Sequence, residues 1–279
     1  MRAVRTVLSE AAYHAIRAAG DAPESLRVLM YHRVTDAHPS DRLCVPVAKF
    51  ADQLRHLYEH GYRTATLAEA VTWVQGLTTM APRTVVLTFD DGFEDNALYA
   101  APALARYGFT GCFFLPTAFI EAGQTARLRP EDRPMSWAQA GHLLEGGHDI
   151  GAHSVTHRKL GMLPIEDARR EIAESKAVLE ARLSRPVTWF CYPAGDYTPA
   201  VRQAVASSGY AGACTVRPGA NRPGMDPFAL RRTEISAFDS PRDFEKKLAG
   251  AYDWLHHGTQ WTQRTFLPKR QCANAQVPL

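Results

Sequence analysis

Two stretches of the sequence carry residue types that do chemistry. Val85-Val86-Leu87-Thr88-Phe89-Asp90-Asp91-Gly92 is a run of β-branched and apolar residues that stops at two adjacent carboxylates and a glycine. The run reads as a buried strand, and paired acids at its end push one another toward protonation unless a cation relieves them. Downstream, His153-Ser154-Val155-Thr156-His157 sets two histidines four residues apart, just after the turn His148-Asp149-Ile150-Gly151-Ala152. One Asp with two His suits zinc or a similar first-row divalent ion and leaves coordination positions open for water and substrate. In this reading Asp91, His153 and His157 hold the metal. Asp90 is then left as a general base for a water whose pKa the ion lowers.

Together, Thr88–Gly92 and His153–His157 resemble the first two motifs of the polysaccharide deacetylase family, the family-4 carbohydrate esterases, in the same order and with a matching Phe93-Glu94-Asp95-Asn96 after the first. The resemblance covers about residues 26–236. It implies an α/β fold, a distorted (β/α) barrel usually of seven parallel strands, with the active site at the strands' C-terminal ends. Tyr31-His32-Arg33 is similar to the start of the biofilm poly-N-acetylglucosamine deacetylases within this family, in which an early histidine replaces the usual late one. By that resemblance His32 is the candidate general acid. Tyr192-Pro193-Ala194-Gly195 matches the family's third motif. The match assigns an oxyanion-binding backbone N–H to Ala194 and makes Tyr192 and Pro193 candidate substrate contacts.

The chain also departs from the family pattern. Cys191 stands where an arginine commonly orients the catalytic Asp, and Arg232, in Leu230-Arg231-Arg232, is the candidate to supply that charge from another strand. Ala194 replaces a common tyrosine. The fourth motif, an Asp followed by Asp-Trp, is not visible between Ala211 and Gly224. The late Leu-x-His motif has one literal match, Leu255-His256-His257, which ranks below His32 because no apolar strand precedes it.

The elements that must position these residues alternate along the chain. Strands are predicted at Leu26–Val34, ending in His32, and at Val85–Phe89, Thr110–Leu115, Val187–Tyr192, Ala211–Thr215 and Leu230–Ile235. Helices are predicted from Val47 to His60, Leu67 to Gln75, Asp95 to Tyr107 with Asp95 as cap and Pro102 as a kink, Ser136 to Gly146, Ile165 to Leu183, and Thr198 to Gly209. In the long amphipathic helix Ala168, Ile172, Ser175 and Leu179 form the buried side. No Asn-Gly hairpin signal appears, so the strands are expected to be parallel with helical crossovers. Residues 117–135 read as a long loop in which Arg127, Arg129 and Arg133 could meet an anion. Three segments result: an N-terminal helical extension at 1–24, the catalytic domain at 25–240, and a C-terminal helix and tail at 241–279. In the first, Val4, Leu8, Ala11 and Ala15 share a helical face, suited to packing on the domain or to resting on a membrane surface.

With 279 residues, 46% hydrophobic and 22% charged, the chain has the composition of a globular protein with a full core. A net charge of +3 without a basic, aromatic-interleaved stripe argues against nucleic acid. The five scattered cysteines lack CxxC spacing, so neither a disulfide framework nor a thiolate metal site is expected. No signal-peptide pattern is visible at the N-terminus, which points to the cytoplasm, including the inner face of the membrane.

The resemblance implies a metal-dependent, most simply zinc-dependent, hydrolase that removes an N-acetyl group from an N-acetylhexosamine in a glycan, glycolipid or surface-polysaccharide precursor. The sugar would be lipid- or nucleotide-linked. A deformylase or other amide hydrolase on the same fold, or a non-catalytic glycan-binding relative, are the alternatives.

Overall fold

The computed structural model describes residues 8–15, 25–123 and 128–253. Helix α1 covers residues 8–15. It is followed by β1 (Arg27–Tyr31), β2 (Arg33–Val34), β3 (Cys44–Val45), α2 (Val47–Glu59), β4 (Arg63–Thr64), α3 (Leu67–Val74), β5 (Thr84–Phe89) and α4 (Ala101–Ala105). Then come β6 (Cys112–Leu115), α5 (Thr117–Gly123), α6 (Trp137–Glu145), β7 (Asp149–Ala152), α7 (Ile165–Leu183), β8 (Trp189–Cys191), α8 (Pro199–Ser207), β9 (Gly212–Cys214), β10 (Thr233–Glu234) and α9 (Pro241–Ala249).

Seven parallel strands, in the order β10-β1-β5-β6-β7-β8-β9, curl into a half-barrel, with β4 pairing the start of β5. This is the distorted (β/α) barrel expected from the sequence. Closure comes from the segment leading into β10. Leu230 bridges Cys214 of β9 in parallel, and Thr233 and Glu234 pair with Leu29 and Met30 of β1. The same short stretch therefore touches both edges of the sheet.

The strands are buried on both faces, which is why they read as continuous apolar runs rather than alternating ones. Side chains of odd and even register go to two separate cores. Leu29, Tyr31, Leu87, Phe89, Phe113, Ile150 and Phe190 pack outward against the helices. Val28, Val86, Cys112, Phe114, Trp189, Cys191 and Cys214 pack inward, where Leu67, Ala70, Val71 and Val74 of α3 join them. Gly151 is required where β7 passes Phe114, because a Cβ there would lie 2.4 Å from that ring.

Besides the turn expected at His148–Ala152, where Asp149–Ala152 form strand β7 instead, local expectations failed in four places. Residues 117–123 form α5, not a loop: Thr117 and Ala118 donate to the carbonyls of Ser154 and Val155, and Ile120 is fully buried. Beyond it, Pro130–Asp132 form a 3-10 turn, Arg129 is ion-paired with Asp132, Arg133 is exposed, and Arg127 lies outside the described residues. Asp95 does not cap a helix; its carboxylate takes the Arg33 guanidinium at 2.7 Å and the Val34 N–H at 3.1 Å. The chain instead makes a π-turn over Asn96–Ala100, with Asn96 buried and donating to the His32 carbonyl, so Pro102 falls in the first turn of α4, where it needs no N–H. The apolar strip at 26–34 is broken at His32 into β1 and β2.

The fourth correction concerns α1. Its buried face is Ser9 and Tyr13, while Leu8, Ala11 and Ala15 are exposed. Charge sets the orientation: Glu10 pairs with Arg242 and Lys246 of α9, and Arg242 lies 3.9 Å over the Tyr13 ring. Val4 lies outside the described residues. No helix among those described is long and apolar enough to cross a membrane.

Candidate active site

Strand register assembles the site. Tyr31 of β1 pairs with Phe89 of β5, so His32 and Asp90 leave adjacent strands at the same level, and the Asp90 N–H bonds the Tyr31 carbonyl at 3.0 Å. Phe89 pairs with Phe113 of β6 and Phe113 with Ile150 of β7, so His153 lies two register positions beyond Asp90, and Ala152 pairs with Phe190 of β8, which puts Cys191 level with His153. Parallel strands end together, and the residues just past their ends converge.

Asp91, His153 and His157 meet in one cluster. Asp91 Oδ1 is 3.2 Å from His157 Nε2 and 3.5 Å from His153 Nε2, and the two imidazole nitrogens are 3.2 Å apart. His153 Nδ1 lies 2.8 Å from the Cys191 carbonyl oxygen, which can only accept, so Nδ1 carries the proton and Nε2 turns its lone pair to the cluster. The three ligand atoms lie within 4.8 Å of one another. Two nitrogens and a carboxylate oxygen facing one point, with one tautomer already set, fit a divalent ion. Burial pushes the Asp91 carboxyl up, but the two histidines outweigh it and hold it well below the usual carboxylate range.

Asp90 faces the barrel interior, on the same side as Thr88, and is 2% exposed. Arg232, fully buried, grips it with a two-pronged pair: Nη1 donates to Oδ1 and Nη2 to Oδ2, each at 2.7 Å. The guanidinium is itself fixed by the Thr215 carbonyl at 2.8 Å and the Thr88 hydroxyl at 3.1 Å, and Thr88 in turn donates to the Leu29 carbonyl. Cys191 Sγ sits 3.0 Å from Arg232 Nη2 and 3.7 Å from Asp90 Oδ2. Burial again pushes the Asp90 carboxyl up, and the charge and hydrogen bonds of Arg232 more than reverse that, so it ends below its ordinary value. Arg232 comes from the segment that closes the barrel. That is why a residue 142 positions from Asp90 in sequence reaches it across the interior.

Backbone strain gathers here as well. Of the six described non-glycine residues with positive φ, four lie in this region: Asp91 (74°), Ser154 (63°), His157 (57°) and Ala194 (53°). Such conformations persist only where the surroundings impose them.

Comparison with known proteins follows the same residues. Residues 78–213 match the family model described as polysaccharide deacetylase, a span that includes the Asp90-Asp91 pair, both histidines and the Tyr192–Gly195 turn. This chain carries a polysaccharide deacetylase domain. YxkH of Bacillus subtilis (strain 168), a protein named for the same family, is 29% identical over 214 residues, covering 77% of this chain and 72% of its own. Among solved structures, IcaB from Ammonifex degensii superposes with a TM-score of 0.70 at 28% identity, covering 82% of this chain and 97% of that one. The Streptococcus pyogenes deacetylase PplD superposes at 0.73 with 23% identity, covering 81% and 99%, and so shares the fold.

Within this domain the residues of the third-motif turn differ in exposure. Ala194 is exposed, in left-handed geometry (φ 53°, ψ 17°), between buried Pro193 and Gly195. Tyr192 and Pro193 are not placed to touch a substrate. Tyr192 is fully buried, its hydroxyl donates to the Phe228 carbonyl at 3.1 Å, and its ring stacks on Tyr197. Aromatic packing under the turn claims Tyr192, and Pro193 is buried beside it, a role the motif alone does not distinguish from ligand contact. His32 is half-buried, and its Nδ1 is enclosed without a hydrogen-bond partner among the described residues. His257 lies outside the described residues.

Three contributors went unread in the sequence. Thr88 stood inside the first motif and was read only as strand. Cys191 was noted as a substitution, not as a contact of both Asp90 and Arg232. Glu171 is not among the residues read as the buried side of its helix, yet it is buried. Spacing of three from Ala168 and four from Ser175 was the available signal.

Proposed function

We propose that the protein is a metal-dependent N-deacetylase that removes the acetyl group from an N-acetylhexosamine in a glycan, glycolipid or surface-polysaccharide precursor and releases acetate. One observation carries the reading: a buried carboxylate, Asp90, held at both oxygens by Arg232, stands beside a convergent Asp91–His153–His157 cluster.

An amide carbonyl is weakly electrophilic and its amine leaves poorly, so the site must activate water, hold an oxyanion and protonate nitrogen. Asp91, His153 and His157 would hold a divalent ion, zinc in this proposal, which when bound lowers the pKa of water and polarises the acyl oxygen. Asp90 takes the proton of the attacking water. Arg232 leaves that carboxylate one orientation and keeps it ionised. The Ala194 N–H donates to the oxyanion of the tetrahedral intermediate. His32, as the imidazolium, gives its proton to the departing amine.

The test is metal content together with acetate release, on wild type and Asp90→Asn, over N-acetylhexosamine substrates that include lipid-linked ones. The expected result is one divalent ion per chain in both proteins, with acetate released by the wild type and lowered about 100-fold or more in the variant. A wild type that binds no metal after chelator-free purification would overturn the reading at its root. Metal binding with release of formate instead of acetate would replace deacetylation by deformylation.

A further inference from the structure

Helix α7 brings to the site a carboxylate that neither the metal cluster nor the base uses. Glu171 lies on its buried face beside Ala168, Ile172 and Ser175 and is only 9% exposed. No cation is paired with it among the described residues. Its partners are on the histidine loop: Oε2 accepts the Val155 N–H at 2.9 Å and the Thr156 N–H at 2.8 Å, and Oε1 accepts the Thr156 hydroxyl. Oε2, facing two N–H groups, can only accept.

Val155 and Thr156 are the middle of the loop whose two ends are His153 and His157. That loop does not hold itself in shape. Ser154 and His157 both sit in the left-handed region, at φ 63° and 57°, a backbone conformation that non-glycine residues hold only where the surroundings impose it. One internal bond, from the His157 N–H to the Ser154 hydroxyl at 3.0 Å, supplies part of this. Outside support comes from two directions. The Ser154 and Val155 carbonyls are taken by the first turn of α5 at 3.2 and 2.9 Å, and the N–H groups on the opposite side are taken by Glu171.

We infer that Glu171 is the positioning residue for metal binding: its carboxylate holds the 153–157 loop in the conformation that turns His157 Nε2 toward Asp91 and His153. The inference rests on the metal-dependent reading above. It has an electrostatic side as well. Arg232 balances Asp90, which leaves the negative charges of Asp91 and Glu171 for a divalent cation to balance.

The test is a zinc titration by competition with a chromophoric chelator, on wild type, Glu171→Gln, Glu171→Asp and Thr156→Val, with thermal unfolding of each metal-free protein. Glu171→Gln is expected to weaken zinc binding about 10- to 100-fold, the usual effect of losing an outer-shell support. Thr156→Val, which removes one of the three donors without touching α7, is expected to weaken it by a smaller factor and keeps the test available if the Gln variant does not fold. Deacetylation by Glu171→Gln should rise with added zinc, and Glu171→Asp should recover part of the lost affinity. Zinc affinity in Glu171→Gln equal to wild type would overturn the inference. So would a variant whose melting temperature and turnover fall together at every zinc concentration, since that is a fold defect. Failure of the wild type itself to bind zinc would overturn the metal-dependent reading as well.

Discussion

Replacing Arg232 by Met removes the guanidinium and keeps most of its length. Asp90 then stays 2% exposed but loses both 2.7 Å bonds and its counter-charge. Removing one partner of a buried ion pair costs about 3–5 kcal/mol, because the other charge is left unpaired. In the wild type burial pushes the Asp90 carboxyl up and Arg232 pulls it below its ordinary value. Without Arg232 the burial effect dominates, and the carboxyl moves up. Each ~1.4 kcal/mol of the loss that appears as protonation raises the acid limb of the pH–rate profile by about one pH.

The effect on stability has opposite signs in the two proteins. In the wild type the folded value lies below the unfolded one, so Asp90 contributes stability above the unfolded value that is lost as pH falls through the folded value. In Arg232→Met the folded value lies above the unfolded one, so the deficit is largest at neutral pH and shrinks as pH falls through it. The assay is a kcat/KM profile at saturating metal, with urea unfolding at neutral and mildly acidic pH. Arg232→Lys should be intermediate, since an ammonium restores charge but not the fork. Arg232→Met combined with Asp90→Asn should recover much of the lost stability. An unmoved acid limb with stability within about 1 kcal/mol of wild type would refute the reasoning.

Substituting His157 by Ala should abolish tight metal binding while the domain remains folded, read by metal analysis and circular dichroism; retained stoichiometric metal would remove His157 from the ligand set. His32→Ala is expected to collapse turnover with metal retained, whereas His257→Ala should change it little, and the reverse pattern would move the general acid to the C-terminal tail. Gly151→Ala drives a Cβ to 2.4 Å from the Phe114 ring and 3.0 Å from the Trp189 carbonyl, so a loss of about 1–3 kcal/mol in urea unfolding is expected. A neutral result there would mean that β7 and β8 yield more easily than their packing indicates.

Local patterns sufficed for some of this protein. The apolar run ending at Asp90-Asp91 and the pair His153/His157 are contiguous in sequence, so residue type and spacing were enough to mark them as candidate ligands and base. Long periodic helices were legible for the same reason: α7 was expected from Ile165 to Leu183 and runs over that span. Conformations set by distant partners were not legible. The face that α1 buries depends on Arg242 and Lys246, and the π-turn after Asp95 depends on Arg33 and on the His32 carbonyl. Tyr192, read as a ligand contact, is held by Tyr197 and Phe228.

Arg232 lies between these cases. Its sequence position named a candidate charge, but only the closing segment between β9 and β1 puts that charge on Asp90. Glu171 marks the further limit, because a glutamate on an amphipathic helix looks the same whether it faces water or the backbone of a strained loop. Hydrophobic period and residue chemistry are properties of the chain itself. Which carboxylate is paired, buried or strained is decided by what the fold brings against it.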